Sequence, residues 1–304
     1  MVSTATEQRA LDWQVHLSRG EVTEGESIEV TIDTSALREI VIRGGEVTLV
    51  RKVAYRYRQV NAFGGAYTVP AHSADIVNRQ ILPATGRLLP GEHVVHEAAV
   101  TVPADGPASV SATLVDIQWA VTVHLDVDGG PDIDTTRTVK VWSNNPAEPL
   151  IDQEPPVVVD RGGAVLGFES LSDRRVAPGS RVSGVLTVVT DRPLSARGLR
   201  VELVLREQVH HGPWMGDDPA HNPANQDKEA ETVVAAAGPA AHVEFLATQP
   251  RRFPFNITVP AQLAGPSLHT PEFTLTWVLR GVMDRRLRPD PTIEIALQAV
   301  TAPH

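Results

Sequence analysis

Apolar and polar residues alternate along much of this chain in short runs. The clearest run lies between Ile117 and Val127, where every second residue is apolar and most of the residues between them are polar. Such an alternation places the two sets of side chains on opposite faces of a β-strand. The runs are separated by many of the chain's 24 prolines and 22 glycines, which favour turns over continuous helix. The pattern therefore predicts an all-β protein of antiparallel strands with little helix.

One block of this pattern occurs twice. The segment Thr101 to Ala104 (Thr-Val-Pro-Ala) returns as Thr258 to Ala261, and each copy is followed by a Gly-Pro pair and then by a tryptophan, Trp119 or Trp277. Both tryptophans lie within apolar alternation, so we expect them in a hydrophobic core. The repeat predicts that the chain is built from two copies of one β-structure.

Further strands recur in the same order in both copies. The first strand of each copy follows a tight turn that contains a glycine, Gly25 in one copy and Gly179 in the other. Glycine suits such turns because it accepts a positive φ. The expected inward positions are Ile28, Val30, Ile32, Val47, Leu49, Val53, Tyr55, Ala98, Val100 and Val102 in the first copy, and Val182, Val185, Leu199, Val201, Leu203, Leu205, Phe255, Ile257 and Val259 in the second.

The two copies predict two tandem domains. A chain of 304 residues has the usual length of two domains. Asn144 to Pro156 contains several prolines and little apolar material, which is typical of a linker. We predict an N-terminal domain over residues 1–144, a linker over residues 145–160 and a C-terminal domain over residues 161–304. Each domain is expected to be an antiparallel, immunoglobulin-like β-sandwich.

Two long segments interrupt the strands at corresponding points of the copies. The first runs from Asn61 to Arg87, and we expect a loop with a short helix over Ser73 to Ile81. The second runs from His210 to Glu231 and is also expected to be a loop. Binding residues often lie on long loops that a rigid scaffold positions, so functional residues are expected in these segments.

The composition narrows the classes of function. The formal net charge of −10 argues against a surface that binds nucleic acid through its phosphates. The chain has no cysteine, which excludes disulfides and thiol nucleophiles, so we expect a cytoplasmic protein. Neither a transmembrane helix nor a secretory signal is expected from the hydropathy pattern. Lysine is rare among the 27 basic residues, which indicates a GC-rich bacterial origin.

Several of these motifs together resemble the arrestin fold. In the second half, the residues from Val176 to Val185 and from Arg197 to Leu203 are similar to the start of an arrestin C-domain. In the first half, Leu89 to His93, Val102-Pro103 and Ile117 to Val121 resemble the pattern of the N-domain, with a tryptophan where the family often has a tyrosine. The resemblance covers most of the chain.

The resemblance implies a non-enzymatic adaptor that binds peptides or protein surfaces through sheet edges and loops. The α-arrestins, retromer subunits of this fold and bacterial sporulation-control proteins share that architecture. This chain lacks the Pro-Pro-x-Tyr motif that recruits ubiquitin ligases, because Pro155 and Pro156 are followed by two valines. We therefore expect a bacterial scaffold that binds a protein partner in a developmental, stress or envelope-linked assembly.

Basic residues on one predicted strand are the first candidates for partner binding. They are Arg51, Lys52, Arg56 and Arg58. Alternation places the last three on one polar face, which could hold an acidic or phosphorylated peptide. The alternative is a solvated face whose charges prevent pairing with other chains. Trp214 is a further candidate, because it belongs to no predicted strand and an exposed loop tryptophan is a typical contact residue.

The segment that holds Trp214 also holds a possible metal site. Its candidate ligands are His210, His211, Asp217, Asp218 and His221, all of types that bind zinc. Their spacing is not diagnostic of a zinc site, and solvated histidines in an exposed, proline-containing loop are the simpler explanation. Under this alternative the protein would be a metal-binding module or a metal-dependent enzyme.

No sequence motif commits the chain to catalysis. A nucleophile elbow, a phosphate-binding glycine loop and a zinc-protease helix motif are all absent from the sequence. We therefore predict a protein without enzymatic activity or cofactor, with protein partners and with edge strands that could pair in a homo-oligomer. A carbohydrate-binding sandwich is a third hypothesis, for which the single loop tryptophan is weak support.

Overall fold

The protein is described from a computed structural model, for residues 10–60, 63, 65–128, 130–144, 158–159, 163–210, 227–286 and 289–302. Throughout these residues the regular structure is β-strand, in twenty strands that form four sheets. The prediction of an all-β protein is therefore confirmed. No helix in this part of the chain is long and apolar enough to cross a membrane.

Ten strands come from the first half of the chain. They are β1 (Leu11–Leu17), β2 (Glu21–Thr23), β3 (Ser27–Ala36), β4 (Ile40–Val60), β5 (Ala66–Leu82), β6 (Gly86–Leu88), β7 (His93–Thr101), β8 (Val110–Ser111), β9 (Val115–Asp128) and β10 (Ile133–Trp142). One sheet has the order β1-β3-β7. The other has the order β2-β10-β9-β4-β5, with β6 beside β4 and β8 beside β9.

The second half of the chain contributes the remaining ten strands. They are β11 (Val158–Val159), β12 (Ala164–Glu169), β13 (Arg175–Val176), β14 (Arg181–Thr190), β15 (Leu194–Val209), β16 (Lys228–Phe245), β17 (Arg251–Thr258), β18 (Leu268–His269), β19 (Phe273–Asp284) and β20 (Thr292–Ala299). One sheet has the order β11-β12-β14-β17. The other has the order β13-β20-β19-β15-β16, with β18 beside β19.

The sheet topology of the first half recurs in the second. The order β1-β3-β7 corresponds to β12-β14-β17, and β2-β10-β9-β4-β5 corresponds to β13-β20-β19-β15-β16. The first strand of each longer sheet pairs with its neighbour in parallel, β2 with β10 and β13 with β20. The short strands β8 and β18 occupy equivalent places. The sequence repeat is therefore also a repeat of strand order.

The two repeated tryptophans are core residues in equivalent settings. Trp119 and Trp277 are both 0% exposed. The indole Nε1 of Trp119 donates to the carbonyl oxygen of Pro107 at 3.0 Å, and that of Trp277 donates to Gly265 at 3.1 Å. A buried indole N–H needs such a partner. The prediction that both residues belong to the core is confirmed.

The inward faces expected from the alternation are buried with two exceptions. Val53 and Val185 are half-buried, and the other expected positions are buried. In the strand β9 the apolar residues from Ile117 to Val127 are buried, whereas the polar residues between them are at least partly exposed. The period-two pattern thus identified the core-facing side of these strands correctly.

The two glycine turns have the predicted conformation. Gly25 and Gly179 have φ values of 83° and 74°, in the left-handed region that favours glycine. In each copy the glycine amide donates a hydrogen bond to the Val-Pro pair that follows the returning strand. The amide of Gly25 donates to the carbonyl oxygen of Val102, and that of Gly179 donates to the carbonyl oxygen of Pro260. The turns therefore tie the first strand of each copy to the strand that ends at Val-Pro.

The prediction of a loop with a helix between Asn61 and Arg87 is wrong. Residues 66–82 form β5, which pairs with β4, so Ser73 to Ile81 lies within a strand. This segment alternates poorly because it occupies a sheet edge, where both faces of the strand are largely exposed. Pairing with β4 gives hydrogen-bond partners to the backbone groups along one side of the segment. This pairing overrides the local preference for helix. The expected loop at 210–231 likewise gives way to β16 at Lys228.

The chain divides into two compact units that do not follow the sequence continuously. Unit 1 contains the residues up to Val53, His72–Ser109 and Ile117–Trp142. Unit 2 contains Ala54–Ala71, Val110–Asp116 and the residues from Ser143 onwards. The strands β4, β5 and β9 contribute to both units. The domain limits at 144 and 161 remain a prediction, and within the proposed linker Val158–Val159 forms β11.

Candidate functional site

The four basic residues proposed for partner binding all lie on β4. Lys52 and Arg56 are exposed, whereas Arg51 and Arg58 are partly buried. Lys52 belongs to unit 1 and Arg56 belongs to unit 2. Lys52 and Arg56 are the members of this group that solvent reaches best, as expected for the polar side of an alternating strand.

Arg51 is used within the β4–β5 hairpin. Its Nη2 lies 3.0 Å from Oδ2 of Asp75 on β5. A second ion pair, between Nε of Arg79 and Oε2 of Glu46 at 3.4 Å, joins the same two strands. All four side chains are partly solvated, so each pair contributes only about 0–1 kcal/mol to the free energy of unfolding. The two ion pairs nevertheless join β5 to β4 along one side. The opposite edge of β5 is therefore the one that ends the sheet.

That edge of β5 carries exposed apolar residues. Among the strands that the structure describes, β5 ends its sheet and has β4 as its neighbour in the ladder. Ile76 is 53% exposed and Ile81 is 67% exposed. Between them, Gln80 Oε1 accepts a hydrogen bond from the backbone N–H of Ala99 on β7 at 2.6 Å. In unit 1 this terminal strand therefore exposes two large apolar side chains, and because they are five positions apart, the alternation of a strand places them on opposite faces.

The sequence pattern does not reveal this edge, because it predicts a loop over the segment. The available signal was two adjacent apolar pairs, Ile76-Val77 and Ile81-Leu82, within the stretch from His72 to Leu82. Adjacent apolar pairs do not reveal a strand, since the alternation that marks a half-buried strand is absent. The pairing with β4 is what turns this stretch into an edge.

The equivalent edge in unit 2 has a different character. Along β16 the ladder with β15 shifts register twice, between Leu199 and Val201 and between Leu203 and Val204. The first irregularity lies beside Gly238 and Pro239, and proline removes a backbone donor. Bulges and proline are devices that prevent an edge from pairing with other chains. β5 also contains a proline, Pro70, but it lies in the unit 2 part of that strand, and the unit 1 part from His72 to Leu82 contains none.

His210 is the one predicted metal ligand within the described residues. It follows β15, and its backbone N–H donates to the carbonyl oxygen of Glu272 at 2.8 Å. Its ring Nε2 lies 2.9 Å from Oγ1 of Thr274, and its Nδ1 lies 3.7 Å from Oδ2 of Asp227. The other candidates lie outside the described residues: His211, Trp214, Asp217, Asp218 and His221.

A second histidine, His269, lies beside His210. The pairing of β18 with β19 sets His269 opposite Thr274, and its Nδ1 is 2.9 Å from Thr274 Oγ1. The two imidazole centroids are 6.2 Å apart at an interplanar angle of 60°. Sequence reasoning missed His269 because it is far from His210 along the chain. In the described ranges, no group of three or more histidines or carboxylates is arranged to hold a metal ion.

Charged residues elsewhere on the same sheet pair with one another. Arg206 and Arg280, on adjacent strands, both contact Glu231 and Glu294, with nitrogen–oxygen distances between 2.6 and 3.0 Å. The hydrogen bonds from Arg280 and then from Arg206 hold the pKa of Glu231 below its usual value. The charges of this cluster compensate one another, which favours a structural role.

A buried carboxylate in unit 2 holds a backbone turn. Glu207 is 0% exposed, and its two oxygens accept the backbone N–H groups of Thr113 at 2.9 Å and Leu114 at 2.6 Å. Two hydrogen bonds from consecutive amides offset the cost of burying the carboxylate. Glu207 is therefore engaged in structure, and its position does not indicate a catalytic acid or base.

The chain matches no protein-family model, and a search of curated proteins gives no match. The all-β fold with several sheets is compatible with a β-sandwich protein. Among the described residues, the edge of β5 and the pair His210 and His269 are the features that bear on function.

Proposed function

We propose that this protein is a non-enzymatic adaptor that binds a protein partner. The single observation that carries the proposal is the edge of β5, a strand of 17 residues with exposed isoleucines at positions 76 and 81. A strand edge offers backbone donors and acceptors to an extended segment of another protein, and neighbouring apolar side chains add affinity.

A basic residue on β4, the strand next to β5, indicates the charge of the partner segment. Lys52 is exposed on β4, next to Arg51, which contacts Asp75 of β5. An exposed cation on the strand next to β5 favours an extended segment with acidic residues. The protein as a whole carries a net charge of −10, so a local basic group would also help to orient an acidic partner.

We also propose a more specific fold within the all-β class. The repeat of strand order supports two tandem immunoglobulin-like sandwiches of the arrestin type, with the domain limits given above. The absence of cysteine supports a cytoplasmic location, and the composition supports a bacterial origin. In this setting the adaptor would act in a developmental, stress or envelope-linked assembly.

The proposal is tested by affinity purification from the native host followed by mass spectrometry. Wild type is compared with a double variant, Ile76→Asp and Ile81→Asp, and with Lys52→Glu. The matched control is Val233→Asp with Leu246→Asp, because these residues are 52% and 57% exposed in unit 2. All the substituted side chains are largely solvent-exposed, so the fold should be retained.

We expect a partner that co-purifies with wild type and with the control but not with the β5 variant. Lys52→Glu should reduce its recovery. Hydrogen exchange of the purified complex should show added protection of amides within residues 66–82. A partner that is retained by the β5 variant, or the recovery of none, would contradict binding at this edge.

The alternative function is a metal-binding module or a metal-dependent enzyme at residues 210–221. The observation in its favour is the position of His210, whose ring nitrogens lie near the hydroxyl of Thr274 and the carboxylate of Asp227. Metal analysis of untagged protein purified without chelator tests it. A metal content near zero would remove this alternative and leave the adaptor proposal in place.

A further inference from the structure

Two imidazole nitrogens in unit 2 point at one hydroxyl. Nε2 of His210 and Nδ1 of His269 each lie 2.9 Å from Oγ1 of Thr274. The two nitrogens are therefore no farther apart than the sum of these two distances. A tetrahedral zinc ion bound at about 2.0–2.1 Å from each nitrogen would need them roughly 3.3 Å apart. Small rotations of two side chains that are partly or fully exposed can provide this separation.

The backbone holds both histidines in place. His269 is fixed by the pairing of β18 with β19. His210 directly follows β15 and is tied to the neighbouring strand by its N–H bond to Glu272. Both side chains thus project from adjoining parts of one sheet. Ligands on rigid strands lose little conformational freedom when a metal binds.

The surroundings of His210 favour the tautomer that a metal needs. Asp227 Oδ2 lies 3.7 Å from Nδ1, and this carboxylate is itself held by Nε2 of Gln208 at 2.7 Å. A carboxylate on the Nδ1 side favours a proton on that nitrogen, which leaves a lone pair on Nε2. Nε2 is the nitrogen that faces Thr274 and His269, so the lone pair points into the site.

We propose that His210 and His269 bind one divalent transition-metal ion of the zinc type, with Asp227 as the carboxylate that orients His210. Two imidazoles suit zinc, nickel and copper ions and do not suit magnesium or calcium. Water completes the coordination, and the Thr274 hydroxyl hydrogen-bonds to one of these waters. The tautomer of His269 that binds the ion carries its proton on Nε2 and leaves the lone pair of Nδ1 for the metal.

This site differs from the one that the loop residues predicted. It shares His210 with that set, and its second ligand lies on β18. It is also separate from the edge of β5 in unit 1, because His210, Asp227, His269 and Thr274 all belong to unit 2. The metal site and the adaptor function can therefore fail independently. The open coordination positions would be available to a ligand atom from another molecule.

Isothermal titration of untagged full-length protein with zinc chloride tests the proposal. The variants are His210→Gln, His269→Gln and Asp227→Asn, and the control is His72→Gln, an exposed histidine of β5. We expect one zinc ion per chain in wild type and in the control. Loss of the carboxylate should weaken binding by about tenfold, and loss of either histidine should weaken it further.

Copper provides a spectroscopic readout that a purely structural role would not affect. With one Cu²⁺ ion per chain, the electron paramagnetic resonance spectrum should show coupling to two imidazole nitrogens in wild type and to fewer in either histidine variant. Far-ultraviolet circular dichroism checks that each variant is folded.

Three results would overturn the proposal. They are an absence of zinc binding by wild type, binding that survives in both histidine variants, and binding that depends on only one of the two histidines. In the last case, dependence on His210 without His269 would place the ligands in the segment that follows β15.

Discussion

At the scale of single residues, two buried polar side chains, Glu207 and His96, bond to partners on other parts of the chain. Glu207 accepts the amides of Thr113 and Leu114, and the buried His96 bonds to the hydroxyl of Thr85 at 2.8 Å. Such bonds contribute modestly to stability when they are formed, but their loss leaves a buried group without a partner. Substitutions at these positions should therefore have larger effects than substitutions of exposed charges.

The first prediction concerns Glu207. Replacement by Ala leaves the amides of Thr113 and Leu114 without their acceptors. Thr113 is exposed, so water can bond to its amide, whereas Leu114 is buried, and a buried donor without a partner costs about 1–3 kcal/mol. We expect Glu207→Ala to lower the free energy of unfolding by roughly 1–3 kcal/mol, as measured by urea denaturation. Glu207→Gln retains one acceptor and should cost less. Glu229→Ala, at an exposed position of β16, is the control. Equal effects of Glu207→Ala and the control would contradict the role of Glu207.

The second prediction concerns pH. Burial lowers the pKa of His96, and its Nδ1 has no hydrogen-bond partner in the described part of the protein. The unfolded chain therefore binds a proton more readily than the folded one below the ordinary histidine pKa of about 6.5. The contribution of neutral His96 to the free energy of unfolding is complete above that pH. It is lost as the pH falls towards the lowered pKa of His96 in the folded protein. We expect His96→Leu to flatten this decline.

Urea denaturation over about pH 8 to pH 5, the range in which histidine titrates, measures the effect as the difference between wild type and His96→Leu. His124 has the opposite sign, because its hydrogen bond to Asp134 raises its pKa and its contribution is lost as the pH rises. That term is present in both proteins and cancels in the difference. Parallel pH profiles for wild type and His96→Leu would show that His96 does not titrate as expected.

At the scale of strands and turns, the two copies share their glycine turns and their central tryptophan strands, and they differ at their edge strands. Each copy begins its first strand after a glycine with positive φ, and each tryptophan strand is paired on both sides. Both outer strands expose large apolar side chains, Ile76 and Ile81 on β5 and Val233 on β16, but the ladder of β16 is also interrupted by two register shifts.

The prediction at this scale concerns the turn at Gly179. A Cβ at this position would meet no atom within 4 Å, so Gly179→Ala tests backbone conformation alone, at a φ of 74°. We expect a loss of about 1–2 kcal/mol in the free energy of unfolding, the cost of the left-handed region for a residue with Cβ. The matched control is Gly20→Ala, which also has open space but no positive φ, and should be nearly neutral. Equal stabilities for both variants would contradict the assignment.

At the scale of the whole molecule, the compact units and the sequence copies have different limits. Unit 2 includes Ala54–Ala71 and Val110–Asp116, which come from the first copy in the sequence. Within this unit Tyr55 packs against Phe273 with ring centroids 5.8 Å apart, and Ser111 donates to Ala264 at 2.6 Å. A fragment of the second copy alone would therefore lack part of its own core.

The corresponding prediction compares a fragment of residues 143–304 with the full chain. Without residues 54–71 and 110–116, the fragment exposes Phe273 and leaves the carboxylate of Glu207 without its two amide donors. We expect the fragment to unfold at a lower temperature than unit 2 in the full chain, and to bind a dye for exposed apolar surface. Calorimetry of both proteins checks this. A fragment as stable as unit 2 in the full chain would support the continuous domain limits at 144 and 161.

The sequence by itself determined the class of fold, the repeat and the buried side of most strands. These features are encoded locally: alternation along β9 specifies which residues face inward, and a glycine before β3 or β14 specifies a turn. Trp119 and Trp277 could be assigned to the core because each lies within an apolar alternation that its neighbours in sequence reveal.

The tertiary structure alone decided which distant residues meet. Ser73 to Ile81 is a strand because β4 lies beside it, and His210 meets His269 because β18 pairs with β19 next to the end of β15. Glu207 likewise finds Thr113 and Leu114 across a long stretch of chain. These contacts depend on long-range strand pairing, whose free energy is shared over whole ladders, and a local pattern of apolar and polar residues carries no record of the partner strand.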